Sequence, residues 1–173
     1  MILPEASKLA RLNELRQEKR HPQGIPETNY IGGLLDLIEY AKPKTVLEIG
    51  SYLGVSTEGF LLTCEHVTTI DSWDGPYADA YESFLERVKP YTNLTVVRGR
   101  SPQDVPQQYF DLCYVDGEHD WISAYDDILA CQRLKPKWIA GHDYKLPGVA
   151  FAVHKLLGQP DKVFSDTSWI KKI

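Results

Sequence analysis

An apolar run, Val46-Leu-Glu-Ile49, stops at Gly50, turns again at Gly54 and passes into helix-compatible sequence. Few folds open this way. Glycine lets a strand end in a tight turn with no Cβ in the way, so the backbone can approach a ligand closely. A second apolar run, Val67-Thr-Thr-Ile70, ends in Asp71, which lies 21 residues after Gly50. An acid at that distance suits a carboxylate that accepts hydrogen bonds from both hydroxyls of a ribose. The bland alternative is a plain strand–turn–helix with an exposed acid.

The rest of the chain alternates in the same manner. Apolar runs predict strands at 45–49, 67–70, 94–97, 110–115 and 138–140. Helical spacing predicts helices at 56–64, 78–88, 121–134 and 149–157, with two more upstream at 6–20 and 28–40. In the helix 121–134, Ile122, Tyr125, Ile128, Leu129 and Cys131 form the apolar side. The segment His21 to Pro26, with two prolines and a glycine, separates the first two helices. Near the end, Val163-Phe164 and Trp169-Ile170 flank turn-forming sequence, which predicts a hairpin. Strands alternating with helices imply an α/β fold whose mostly parallel sheet is covered on both faces.

Length and composition bound the function. At 173 residues, 43% hydrophobic and 25% charged, the chain reads as one soluble globular domain. A net charge of −5 disfavours a nucleic-acid partner, which needs clustered Lys and Arg. Arg11, Arg16, Lys19 and Arg20 come nearest to such a cluster, but Glu14 and Glu18 interrupt it, and a solvated helix face is expected. Cys64, Cys113 and Cys131 are odd in number and lack metal-like spacing, which predicts buried free thiols and a reducing, cytoplasmic setting. The opening Met-Ile-Leu-Pro-Glu has no signal-peptide pattern, and no apolar run approaches membrane-spanning length.

In an open α/β sheet, ligands bind beyond the carboxyl ends of the strands. Polar or glycine residues follow all five predicted parallel strands: Glu48 to Gly54, Asp71, Gly99 to Ser101, Asp116 to His119, and His142 to Tyr144. Their convergence on one rim outweighs any single motif. A dinucleotide site needs Gly-x-Gly-x-x-Gly to admit a pyrophosphate; here Tyr52 stands where the second glycine belongs. S-adenosylmethionine carries no phosphate, and carboxylates near the turn, such as Glu48, can help neutralise its cationic groups.

The segment Glu48-Ile-Gly-Ser-Tyr-Leu-Gly-Val-Ser-Thr57 resembles motif I of class I S-adenosylmethionine-dependent methyltransferases. It is most similar to the small-molecule O-methyltransferase branch that includes catechol and macrolide-sugar O-methyltransferases. Asp116-Gly-Glu-His119, Gly141-His-Asp-Tyr144 and Pro147-Gly-Val extend the resemblance over about residues 25–173. It implies a Rossmann-like sheet of seven strands, the last antiparallel. Gly50, Ser51, Tyr52, Gly54 and Ser56 would surround the methionine end of the cofactor, with Glu48 orienting the loop. Asp71, followed by Ser72 and Trp73, would hold the ribose. Gly99 and Ser101 would lie by the adenine, and Asp116 at the junction of cofactor, metal and acceptor. Metal-dependent members hold a divalent ion on the counterpart of Asp116 and on an acidic or amide pair that here reads His142-Asp143. Oxygen ligands would suit Mg²⁺, and the histidine widens the choice toward transition metals.

His119, three residues after Asp116, is the candidate base, since a neutral imidazole can take a proton from a hydroxyl near neutral pH. Asp120 is expected to cap the helix that follows. Asp126 and Asp127 read as a solvated helix face, as do Glu82 and Glu86. His66 and His154 read as surface or packing residues, and Trp138 and Trp169 as sheet core. For Trp73 a place on the cofactor or at the rim, and for Tyr144 a place in the acceptor pocket, stand level with plain packing.

The combined reading is methyl transfer from S-adenosylmethionine to a hydroxyl of a small sugar-type or phenolic acceptor, with Asp116 and His119 at the chemistry and a divalent metal as an optional assistant. Residues 1–40 would form a cap or acceptor-side lid, and 41–173 the cofactor-binding core. Short insertions leave the pocket open or completed by a second copy of the chain. A noncatalytic cofactor-binding scaffold and an N-methyltransferase remain the alternatives. Neither a nucleic acid nor a membrane is expected as a partner.

Overall fold

The computed structural model describes residues 4–24 and 28–173. Pro26, at the end of the predicted break, lies outside the described residues. Two helices, α1 (Glu5–Leu15) and α2 (Gly32–Ala41), precede the alternating unit. There follow β1 (Thr45–Ile49), α3 (Val55–Thr63), β2 (His66–Asp71), α4 (Ala80–Val88), β3 (Leu94–Arg98), β4 (Leu112–Val115), α5 (Trp121–Arg133), β5 (Trp138–Gly141) and α6 (Pro147–Leu157). A hairpin of β6 (Lys162–Val163) and β7 (Trp169–Lys172) ends the chain. The order across the sheet is β3-β2-β1-β4-β5-β7-β6. The first five strands are parallel, and β7 runs antiparallel to both β5 and β6. This is the expected seven-stranded Rossmann-like sheet with its antiparallel hairpin.

Side chains alternate across each strand, so every central strand feeds two cores. Val46, Val67, Leu112, Tyr114 and Ala140 pack with α2, α3 and α4 on one face. Leu47, Ile49, Cys113, Val115 and Ile139 pack with α5 and α6 on the other. All three cysteines are free and buried. Among the described residues no helix is long and apolar enough to cross a membrane.

Three sequence expectations need correction. The first helix stops at Leu15 rather than residue 20; Leu15 is buried, Leu12 packs partly against the core and Leu9 is exposed. Ile122, in the first turn of α5, is also exposed rather than part of its apolar side. The basic residues near the N-terminus are not simply solvated. Arg11 bonds Glu58 of α3 through Nε and Nη2, both at 2.8 Å. Arg87 of α4 reaches the same carboxylate at 2.7 Å. Burial alone would raise the pKa of Glu58, but hydrogen bonds from Arg11, Tyr91 and Arg87 outweigh it and hold the group below its ordinary value. The network ties α1 to α3 and α4.

Candidate functional site

Strand order reverses between β1 and β4, where neighbouring connections run to opposite sides and leave a crevice. A cavity of about 850 Å³ opens there, walled by the ends of the parallel strands and by the segment around Arg20, His21 and Asn29.

The first wall is the loop after β1. Gly50 (φ 87°), Tyr52 (φ 47°) and Gly54 (φ 79°) all take the left-handed conformation. A Cβ on Gly50 would collide with the backbone carbonyl of Asp116, so only glycine lets the loop close against the β4 end. Asp71 holds the loop from below: its carboxylate accepts the backbone N–H groups of Ser51 (2.8 Å), Tyr52 (2.9 Å) and Trp73 (2.9 Å).

Glu48 does not reach the cavity. It is fully buried on the α3 side and accepts hydrogen bonds from Ser56 (2.6 Å), Thr57 (2.5 Å) and Thr69 (2.9 Å). Burial pushes its pKa up to about 7, with those hydroxyls working in the opposite direction. Glu48 therefore braces the loop, through Ser51, and the start of α3, through Ser56 and Thr57. Gly54 is likewise behind the wall, against Phe84 and Arg87. Trp73 packs on Tyr81 and Phe84, fully buried, and its indole N–H donates to the Tyr52 carbonyl at 2.9 Å. Packing thus takes Trp73 away from both the cofactor and the rim. Ser51, Ser56, Ser72, Gly99 and Ser101 do line the cavity.

The far wall carries the charge. Asp116, His142 and Asp143 present ligand atoms all within 4.8 Å of one another. His142 Nδ1 lies 3.0 Å from Asp143 and 3.7 Å from Asp116, while its buried Nε2 has no hydrogen-bond partner. His119 Nε2 is 2.8 Å from Asp143 and 4.0 Å from Asp116. These two carboxylates push the His119 pKa up to about 10, against the opposing effect of burial. Both carboxylates thus favour the protonated form of His119. Asp143 is partly buried, which disfavours its charge, yet bonds from His119 and His142 hold it well below the carboxylate range. Asp143 also sits at φ 55°, a left-handed conformation costly for a non-glycine residue and typical of functional loops. Asp120 caps α5, accepting from Ile122 and Ser123.

Several cavity residues escaped sequence reasoning. Arg20 is largely buried and bonds Asp116 (2.8 Å), Asp166 (3.3 Å) and the Tyr114 hydroxyl (3.3 Å). His21 stacks on Tyr52 with ring centroids 5.1 Å apart. Asp127 is buried at the wall rather than solvated; its neighbour Asp126 is exposed, as the sequence suggested. Only the capping signal at Asp120 and the heptad-like spacing of α5 bear on Asp127, since they set which face of α5 turns inward. Tyr144 bonds His154 at 2.5 Å and stacks on it, outside the cavity lining. Leu146 lines the cavity instead.

Residues 47–144 match a family model described as a methyltransferase domain. No curated protein matches the sequence. Solved structures resemble it over nearly its whole length. An O-methyltransferase from Bacillus cereus, solved in complex with SAH, has 17% identity and a TM-score of 0.59, covering 98% of this chain and 91% of that one. The N-methyltransferase NodS from Bradyrhizobium japonicum, solved with S-adenosyl-L-homocysteine, has 16% identity and a TM-score of 0.60, covering 94% and 95%. The SAH-bound methyltransferase PaMTH1 of Podospora anserina has 16% identity and a TM-score of 0.64, covering 99% and 89%. At such identities the likeness is one of fold.

Proposed function

Because the chain belongs to the methyltransferase-domain family, whose model spans more than half of it, we propose that it moves the methyl group of S-adenosylmethionine to a hydroxyl of a small sugar-type or phenolic molecule. One observation carries this reading. A single cavity joins a glycine turn braced by an acid, Asp71, to a cluster of carboxylates and imidazoles at the ends of β4 and β5.

Each part has a task. Asp71 spends its carboxylate partly on the loop and faces the cavity, where its remaining lone pairs suit ribose hydroxyls. The loop from Gly50 to Ser56 encloses the methionine end. Asp116 and Asp143 supply negative charge that favours a sulfonium and an ammonium group. Holding donor and acceptor in line contributes much of the rate, because the reaction becomes effectively unimolecular. Arg20, His21 and Asn29 close the cavity from the N-terminal side, which supports residues 1–40 as the acceptor-side cap.

The donor set fits a divalent cation: two carboxylates and the His142 imidazole, whose Nδ1 is 3.0 Å from Asp143 and 3.7 Å from Asp116, are gathered around a common point. Asp116, His142 and Asp143 would hold it, and a cation there supplies a Lewis acid that lowers the pKa of the acceptor hydroxyl. His119 Nε2, beside both carboxylates, is the nitrogen we assign to take the hydroxyl proton; a cation at the cluster would lower its hold on a proton of its own.

Calorimetric titration with S-adenosylhomocysteine, with and without Mg²⁺, tests the reading on wild type and Asp71→Ala. Saturable binding that weakens at least roughly tenfold in the variant is expected. An absence of binding in wild type would refute the reading. Turnover assays with hydroxylated against amine acceptors then decide between oxygen and nitrogen.

A further inference from the structure

The two oxygens of Asp116 have different neighbours. Oδ1 is on the side of the imidazoles, 3.7 Å from His142 Nδ1 and 4.0 Å from His119 Nε2. Oδ2 accepts a hydrogen bond from Arg20 Nη1 at 2.8 Å. A carboxylate assigned to a divalent ion is thus held, on its other oxygen, by a full positive charge. That charge is permanent, because a guanidinium does not lose its proton in a protein. It is also confined: the Arg20 side chain is 12% exposed, and its Nη2 is tied to the Tyr114 hydroxyl and to Asp166, each at 3.3 Å. Salt screens such a buried charge far less than a surface one.

The usual outer partners of metal ligands are carboxylates, carbonyls and waters, which make the ligand a better donor. A guanidinium does the reverse. It draws on the negative charge of Asp116, and it repels a doubly charged ion twice as strongly as a singly charged one. We propose that Arg20 is a resident counter-cation of the cluster of Asp116, His142 and Asp143, which compensates Asp116 and keeps the binding of a divalent ion weak and reversible. The inference rests on the metal reading above and adds the residue that sets how tightly the ion is held. Linkage makes the effect mutual: an ion at the cluster loosens Arg20 by the factor by which Arg20 weakens the ion. The backbone N–H of Arg20 donates to the Asn29 carbonyl at 2.7 Å, and that of His21 to Asn29 Oδ1 at 2.8 Å. These two amides therefore report how firmly the segment is docked.

The experiment titrates Mn²⁺ and follows the paramagnetic signal of the free ion. Arg20→Met is expected to bind Mn²⁺ at least roughly tenfold more tightly than wild type. Arg20→Lys, which keeps the charge, is expected to stay within about threefold of wild type. Arg16→Met removes an equal charge from the surface pair with Asp36 and is expected to change nothing. A purely structural Arg20 predicts the opposite sign, since losing it would free Asp116 to move and weaken the ion. Equal or weaker binding in Arg20→Met overturns the assignment. If Arg20→Met does not fold, hydrogen exchange in wild type decides: saturating Mn²⁺ is expected to speed exchange at the Arg20 and His21 amides at least roughly threefold. Unchanged or slower exchange there overturns it. Binding of Mn²⁺ by neither wild type nor Arg20→Met would instead bring down the metal reading, and the assignment with it.

Discussion

Arg20 and Asp116 are 96 residues apart in the chain and 2.8 Å apart in the structure. The guanidinium also bonds Asp166 in the turn before β7 and the hydroxyl of Tyr114 on β4. One side chain therefore ties the N-terminal segment, the centre of the sheet and the terminal hairpin to the carboxylate at the heart of the site. Removing a single partner from a buried pair leaves the other charge uncompensated. Arg20→Met is expected to cost about 3 kcal/mol, lowering Tm by roughly 6–12 °C. Scanning calorimetry checks this, with Arg16→Met as the contrast: Arg16 pairs Asp36 on the surface, where its loss is expected to cost under about 1 kcal/mol.

Glu48 makes stability depend on pH. Its folded pKa, about 7, is above the ordinary carboxylate value because burial disfavours its charge. Between those two values the folded state binds more protons than the unfolded one, so stability falls as pH rises through this window. Asp127 acts in the same direction up to about pH 6. Wild-type Tm is expected to fall between pH 5 and pH 7.5 by roughly 3 °C or more. In Glu48→Gln, which stays neutral, the fall is expected to flatten. Parallel slopes in the two proteins would argue against Glu48 as the cause.

Gly50 tests the closeness of the loop to β4. Its φ of 87° disfavours any side chain, and a Cβ there would meet the carbonyl of Asp116 well inside van der Waals contact. Gly50→Ala is expected to lose at least about 2 kcal/mol of stability, with the midpoint of urea denaturation as the measurement. Gly75→Ala is the contrast, since a Cβ there meets nothing within 4 Å and only its φ of 56° opposes the change.

The proposed metal cluster predicts a binding phenotype separate from turnover. Asp143→Asn removes one of two carboxylates in a set whose donor atoms lie within 4.8 Å. Mn²⁺ affinity, followed by the paramagnetic signal of the free ion, is expected to fall at least roughly tenfold. Unchanged affinity would place any bound ion elsewhere.

The parts of the site that were legible share a cause. Asp71 ends a parallel strand and Gly50, Asp116 and Asp143 each follow one, and a strand end is readable from a local apolar run that stops at a turn or an acid. The hairpin at 162–172 was readable for the same reason. Arg20 and Asp127 were not, because each was assigned to a solvent-facing side by its neighbours in sequence. Nothing local to Arg20 indicates that a chain segment 96 residues away offers it a carboxylate. Trp73 failed in the opposite sense: it directly follows the Asp71-Ser72 end of β2, yet Tyr81 and Phe84 of the following helix draw it into the core.

The sequence by itself determined the alternation of strands and helices, the glycine turn and the acids at the strand ends, because periodicity and turn chemistry act over a few residues. Only the tertiary structure decided which of those acids come together, which are buried, and that His119 lies beside two of them. Charge state and hydrogen-bond partners depend on desolvation and on groups from distant elements, and those exist only once the sheet has brought the strand ends together.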